Sequence, residues 1–289
     1  MLSRLAPSVY WMAPDHTTDR PIVAAIGGEH ATLMVEAGNS VKHAHQFLNA
    51  LAAQPVAPLR YVVLTHWHWD HVFGAPAIDA IAIATEETRR QIEIMAGYSW
   101  SDAALDERTA AGLEIPFCRD MIKAELSPAE RAELTLRVPE LAFRAEMTID
   151  LGNQIVRVIH VGGDHSSDSC IVVLPGVVAF LSDCVYPNLH VEPNYFSRRH
   201  LFPLLDRLLT LDVEHYVLGH DDAPLSRAAF ESLARSMKKA GDAVKRHGLD
   251  DDGIQAELAA PGTGEDGVKA LQFVKAFQAG LVHEVDGAP

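Results

Sequence analysis

Short apolar runs closed by glycine, proline or asparagine recur along the chain, and each predicts a buried strand. Residues 22–26 (Ile-Val-Ala-Ala-Ile) and 31–35 (Ala-Thr-Leu-Met-Val) flank Gly27-Gly28-Glu29-His30, a hairpin signal. Asn39-Ser40 then offers a helix N-cap, and Val41, His45, Leu48 and Leu51 recur at helical spacing. Residues 61–64 (Tyr-Val-Val-Leu) and 81–84 (Ile-Ala-Ile-Ala) return to the strand pattern. Residues 86–96 predict a helix, and Ser127-Pro128-Ala129-Glu130 has the capping-box pattern with proline at the first helical position. Gly97, Gly112 and Pro116 break the intervening stretch, so about 85–146 reads as a mainly helical, loop-rich insertion.

The second half mirrors the first. Residues 147–151, 155–161, 170–174 and 177–181 read as strands, with Gly152-Asn153 and Pro175-Gly176 as turns. A helix is expected over 199–209, a strand over 216–218 and a helix over about 224–246. Asp250-Asp251-Asp252-Gly253 and Pro261-Gly262 read as a polar linker to a last short helix near 268–277. Two sheets with helices outside, built from similar halves, is the architecture this order favours. The domain reading is one domain over 1–248, with 249–289 as linker and helix packed on it.

With 289 residues, 48% hydrophobic and 22% charged, the chain can bury a sizeable core. No apolar run approaches the ~20 residues that cross a bilayer. No apolar stretch follows Arg4, so a secretory leader is not expected. Cys118, Cys170 and Cys184 show no CxxC spacing, which points away from a disulfide framework or a thiolate zinc cluster. A cytoplasmic setting without membrane contact is the expectation. The net charge of −15 repels phosphate backbones, so nucleic acid is a poor substrate candidate; a local basic patch at Arg198, Arg199 and His200 is the one reservation.

The chemistry lies after the strand at 61–64. Thr65-His66-Trp67-His68-Trp69-Asp70-His71 places three imidazoles and a carboxylate in six residues. That donor set suits a borderline divalent cation, zinc first, with iron or manganese as alternatives. In an extended chain His66 and His68 share a face, whereas Asp70 and His71 diverge once the chain turns toward Gly74 and Pro76. One pair then serves one metal, and Asp70 with His71 reaches a second. Three further candidates follow predicted strands: His165 after Gly162-Gly163-Asp164, Asp183 after the strand at 177–181, and His220 after Gly219.

His66-x-His68-x-Asp70-His71 followed by His165, Asp183 and His220 resembles the metallo-β-lactamase superfamily, over roughly residues 8–248. The resemblance implies a four-layer αββα sandwich with metals at the edge between the sheets. It implies that His66, His68 and His165 hold one ion, that Asp70, His71 and His220 hold a second, and that Asp183 bridges both. A bridging Asp183 is similar to the glyoxalase II-like and lactonase-like branch; Cys184 beside it reads as a small buried hydrophobe. Tyr186, three residues on, resembles a lactonase tyrosine that helps hold a substrate carbonyl, and equally reads as an aromatic closing the loop before Pro187. His190, Tyr195 and His200 are pocket candidates, His190 foremost. Trp67 and Trp69 read first as packing residues. Asp164 reads as an acceptor for a ligand imidazole or as a turn residue.

The implied activity is dinuclear metal-dependent hydrolysis of an ester, lactone, thioester or amide in a small-molecule substrate, through a metal-bridging hydroxide that Asp70 orients. β-Lactam or phosphodiester hydrolysis on the same site, and mononuclear iron-dependent sulfur or persulfide oxygenation, are the alternatives. The insertion at 85–146 is expected to wall the pocket or to build a homodimer contact.

Overall fold

Strands buried on both faces must divide their side chains between two cores, because successive residues point opposite ways. The computed structural model describes residues 1–286 and shows this division. The first sheet has seven strands in sequence order: β1 (Leu2–Ala6), β2 (Val9–Met12), β3 (Val23–Gly27), β4 (Thr32–Val35), β5 (Leu59–Val63), β6 (Ile81–Thr85) and β7 (Leu141–Phe143). The second has six: β8 (Glu146–Asp150), β9 (Ile155–His160), β10 (Cys170–Leu174), β11 (Val178–Ser182), β12 (His215–Leu218) and β13 (Leu225–Ser226), again in sequence order. In β3, Ala24 and Ile26 enter the core between the sheets while Val23 and Ala25 face the helices. In β10, Cys170, Val172 and Leu174 face inward while Ile171 and Val173 face the opposite helical layer.

Helices complete the outer layers. On the first sheet lie α1 (Val41–Ala52), α2 (Trp69–Val72), α3 (Glu86–Met95), α4 (Asp102–Ala110) and α5 (Pro116–Glu125), which bury Phe47, Trp69, Ile92, Leu105 and Ile122 in one core. The short α6 (Pro128–Glu133) follows, and its expected capping box between Ser127 and Glu130 forms. On the second sheet lie α7 (Arg198–Leu209) and α8 (Arg227–His247). The order is that of an αββα sandwich.

Strands β1, β2 and β13 add to the expected elements, the one helix expected near 268–277 is split by a 3-10 turn at Leu271–Phe273, and two further segments differ from expectation. The acidic stretch read as a linker starts a helix, α9 (Asp251–Leu258), because Asp250 caps it by accepting the Gly253 N–H. With α10 (Gly264–Ala270) and α11 (Val274–Asp286) it packs Ile254, Leu258, Val274 and Phe277 into the core that α7 and α8 share. The insertion also ends in a strand, since β7 pairs in parallel with β6.

β4, β5 and β6 run parallel, as do β11 and β12, so their C-terminal ends open on a common edge. The sheets are joined there: the Cys170 N–H donates to Thr65 O at 2.8 Å and the Ile22 N–H to Gly219 O at 2.7 Å. Gly74 closes the segment after the histidine cluster, its N–H donating to Gly38 O. A Cβ at Gly74 would stand 2.1 Å from Ala37 O, a backbone atom with no room to yield. Gly74→Ala should therefore cost about 3 kcal/mol or more of stability, read as a large fall in thermal midpoint.

Candidate metal centre

Each candidate ligand sits just past the end of a strand. His66 and His68 follow β5; Asp70 and His71 lie on α2, where consecutive side chains diverge by about 100°. His165 follows β9, Asp183 follows β11 and His220 follows β12. The fold brings all seven together. Donor atoms of His66, His68 and His165 lie within 4.8 Å of one another, and so do those of Asp70, His71, Asp183 and His220. Asp183 Oδ2 stands between the groups, 4.0 Å from His66 Nε2, 3.4 Å from His165 Nε2, 3.3 Å from His71 Nε2 and 3.4 Å from His220 Nε2. Asp70 Oδ2 lies 2.9 Å from His71 Nε2 and 3.2 Å from His220 Nε2.

The other nitrogen of every imidazole meets a partner outside the cluster. His66 Nδ1 lies 3.1 Å from Thr65 Oγ1, and the Thr65 hydroxyl donates to Glu36. His71 Nδ1 lies 3.2 Å from Glu36 Oε1, and the His165 Nδ1–H donates to Pro187 O at 3.1 Å. His68 Nε2 meets His190 Nε2 at 3.0 Å, and His220 Nδ1 faces Asp19 Oδ1 at 3.5 Å. Such outer partners fix ring orientation and tautomer around a metal. With its Nδ1–H donated to Pro187 O, neutral His165 turns a bare Nε2 lone pair toward His68 Nδ1, 3.0 Å away.

Buried His66 Nε2 and Asp183 Oδ1 make no hydrogen bond among the described residues. Buried polar atoms are seldom left so unless something else binds them. Donor chemistry and these orphaned atoms both fit divalent cations.

Charge divides the site in the same way. Burial holds His66, His68 and His165 below the ordinary imidazole range, ready to offer lone pairs. Burial also opposes charge on His71 and His220, but the carboxylates beside them prevail and raise both well above it. Burial would likewise raise Asp70 and Asp183, yet the adjacent imidazoles hold both low. The carboxylates thus demand positive charge, which protons or a cation can supply.

Backbone strain concentrates here. The three non-glycine residues with left-handed backbone are Asp19 (φ 56°), Glu36 (φ 66°) and Ser182 (φ 49°), among the described residues. Each abuts the cluster, and each such conformation costs on the order of 1–3 kcal/mol. Ser182 donates to Glu36 Oε1 at 2.7 Å and turns the chain into Asp183.

The secondary candidates separate. Tyr186 lines the cavity, but its hydroxyl donates to Asp221 at 2.8 Å and accepts the His220 N–H at 3.2 Å, steadying the turn that carries His220. His190 lines the same cavity and stacks on Trp67, with rings 5.6 Å apart. Trp69 is core. Cys184 is buried against the second helical layer, where burial pushes its thiol up, so it behaves as the small hydrophobe expected. Asp164 binds no ligand imidazole: it accepts from Ser197 N, Ser197 Oγ and His200 Nδ1 and so anchors the start of α7. His200 is thereby placed on the helix surface, and Tyr195 packs against His283, away from the cluster.

Three carboxyl groups beside the cluster lie outside the sequence expectation. Glu36 ends the apolar strand β4 and could have been suspected by the same rule that found Asp183. Asp168 accepts from Trp67 N at 3.0 Å and Thr88 Oγ1 at 2.7 Å, tying the His66–His68 segment to the loop of His165; nothing local signals it. Asp19 sits in the β2–β3 loop, where burial, then Asp70, pushes its carboxyl up to about 7.

The Metallo-beta-lactamase superfamily profile matches residues 22–220. A search of curated proteins gives no match. Among solved structures, a metallo-beta-lactamase from Pontibacter korlensis superposes with TM-score 0.55 at 16% identity, over 80% of this chain and 95% of that one. A metallo beta lactamase from Hirschia baltica gives 0.52 at 14% identity, over 81% of this chain and 95% of that one. The stereoselective inverting sec-alkylsulfatase Pisa1 from Pseudomonas sp. gives 0.60 at 14% identity; it covers 97% of this chain, which spans 51% of that protein. These likenesses support the fold. The family match covers more than half the sequence and encloses every residue of the His/Asp cluster, so this chain belongs to the metallo-β-lactamase superfamily, whose members are mostly hydrolases.

Proposed function

We propose that this chain is a dinuclear metal-dependent hydrolase of ester, lactone, thioester or amide bonds. His66, His68 and His165 would hold one divalent ion, zinc first, and Asp70, His71 and His220 a second, with Asp183 shared. The observation that carries this reading is the two-sided imidazole set: five rings turn one nitrogen inward and engage the other outside. Intact second-group donors favour two ions over a single iron. Bound ions would supply Lewis-acid chemistry, acidifying water near neutral pH and drawing electron density from a carbonyl.

The chain's own groups do the rest. Asp70 lines the cavity as a carboxylate and orients the attacking water by accepting its hydrogen bond. Tyr186 keeps the His220 turn in place through Asp221. Glu36 and Asp19 hold the outer nitrogens of His71 and His220, so that Nε2 of each faces the centre.

Elemental analysis of the purified protein, run beside a panel of ester, lactone, thioester, amide, β-lactam, phosphodiester and sulfate-ester substrates, tests the proposal. Two ions per chain with carbonyl turnover are expected. One iron per chain with oxygen consumption would overturn it. Asp19→Asn should weaken the second ion about 10–100-fold and spare the first, seen as two separated steps in a chelator competition.

A further inference from the structure

The cavity over the cluster is small, about 220 Å³, below the roughly 300–1,000 Å³ of drug-sized ligand sites. Its floor is the histidine–aspartate set. Its walls come from two segments outside that set, which besides Cys118, Tyr186 and His190 supply four residues: Ile115 and Phe117 from the insertion, and Pro187 and Leu189 from the loop after Asp183. These four side chains are apolar, and Phe117 is 48% exposed, so it has surface left to bury on a ligand.

What the lining lacks is equally informative. No lysine or arginine borders this cavity among the described residues, and its carboxyl groups are those of Asp19, Asp70 and Asp183. Arg20, in the same loop as Asp19, is engaged by Glu125 at 2.7 Å. A substrate carrying a carboxylate, phosphate or sulfate away from its reacting bond would find no countercharge on the walls and would be desolvated against apolar surface.

Resting on the hydrolase reading above, we infer that this site takes a neutral ester or lactone with a short aliphatic acyl chain, lodged between Ile115–Phe117 and Pro187–Leu189. Water adds across the acyl C–O bond, which breaks to give a carboxylate, an alcohol and a released proton, with no redox partner. Phe117 and Leu189 set the specificity; the cluster performs the chemistry on whatever the walls admit.

The test compares p-nitrophenyl acetate, butyrate and octanoate with mono-p-nitrophenyl succinate, in which a carboxylate replaces the terminal methyl of butyrate. The metal-loaded wild type should prefer butyrate to acetate about tenfold in kcat/KM, from two extra buried methylenes. It should also prefer butyrate to the succinate ester by more than that factor. Phe117→Ala should lower the butyrate-to-acetate ratio severalfold, and Leu189→Arg should raise succinate relative to butyrate. Leu189→Ala serves as a second wall variant should Phe117→Ala unfold. Ester turnover with flat chain dependence, or with succinate equal to butyrate, would overturn this inference and leave the hydrolase reading standing. No ester turnover at all would also overturn this inference, and the hydrolase reading would fall with it only if the lactone, thioester and amide substrates went unturned as well.

Discussion

Replacing Asp70 with alanine should abolish hydrolysis, with a loss of a thousandfold or more, while the unfolding transition stays close to that of the wild type. The expectation follows from position. Asp70 is fully inside the cluster, and its Oδ2 lies within 3.2 Å of both His71 and His220. Removing an outer-shell partner of a metal costs about 10–100-fold; removing a direct donor that also orients water should cost more. The fold has little reason to fail, because Trp69 and Val72 anchor α2 in the apolar core. The measurement is kcat/KM on the best carbonyl substrate, with metal content and thermal midpoint determined on the same preparation. Wild-type turnover by Asp70→Ala would remove the basis for the proposed mechanism.

Stripping divalent ions with a chelator should likewise extinguish activity, and adding zinc back should restore it. The pH dependence has a sign that the site dictates. His71 and His220 sit above the ordinary imidazole range because carboxylates surround them, so a cation must displace their protons. Apparent affinity should fall as pH is lowered from 8 to 6, by about tenfold per unit for each proton displaced. The metal-free protein responds in two ways. Raised His71 and His220 contribute stability present below about 6.5 and lost as pH rises through their folded values. Depressed His66, His68 and His165 contribute stability present above about 6.5 and lost as pH falls through theirs. The gain in thermal midpoint on adding zinc should therefore grow with pH. A gain that shrinks with pH would contradict this charge distribution.

Much of the fold was legible because the chain writes it locally. The apolar runs that became β3 to β6 and β9 to β12 carry their period in consecutive residues, and Ser40 and Ser127 cap the helices that follow them. The acidic stretch at 250–253 has the composition of a linker, whereas one side chain, Asp250, makes it a helix start. Helix α9 is then held by Ile254 and Leu258, which join the core that α7, α8 and α11 share. β7 escaped notice for a related reason: three residues have too little pattern, and pairing with β6 makes them a strand.

Within the site, the ligand types were written in the sequence. The spacing His66-x-His68-x-Asp70-His71, and the position of Asp183 and His220 just past apolar runs, follow from the rule that strand ends on one edge collect function. What the sequence by itself determined is therefore two sheets with helices outside and a metal-competent donor set, because periodicity and short-range spacing encode both. What only the tertiary structure decided is everything that depends on distance between remote segments. Glu36 reaches His71, Asp19 reaches His220, and Asp168 holds the backbone at Trp67, each from a separate segment; Tyr186 turns its hydroxyl to Asp221; and Phe117 and Leu189 wall the cavity. The physical reason is that hydrogen bonds and burial act over a few ångströms of space, and folding alone brings residues a hundred positions apart within that reach.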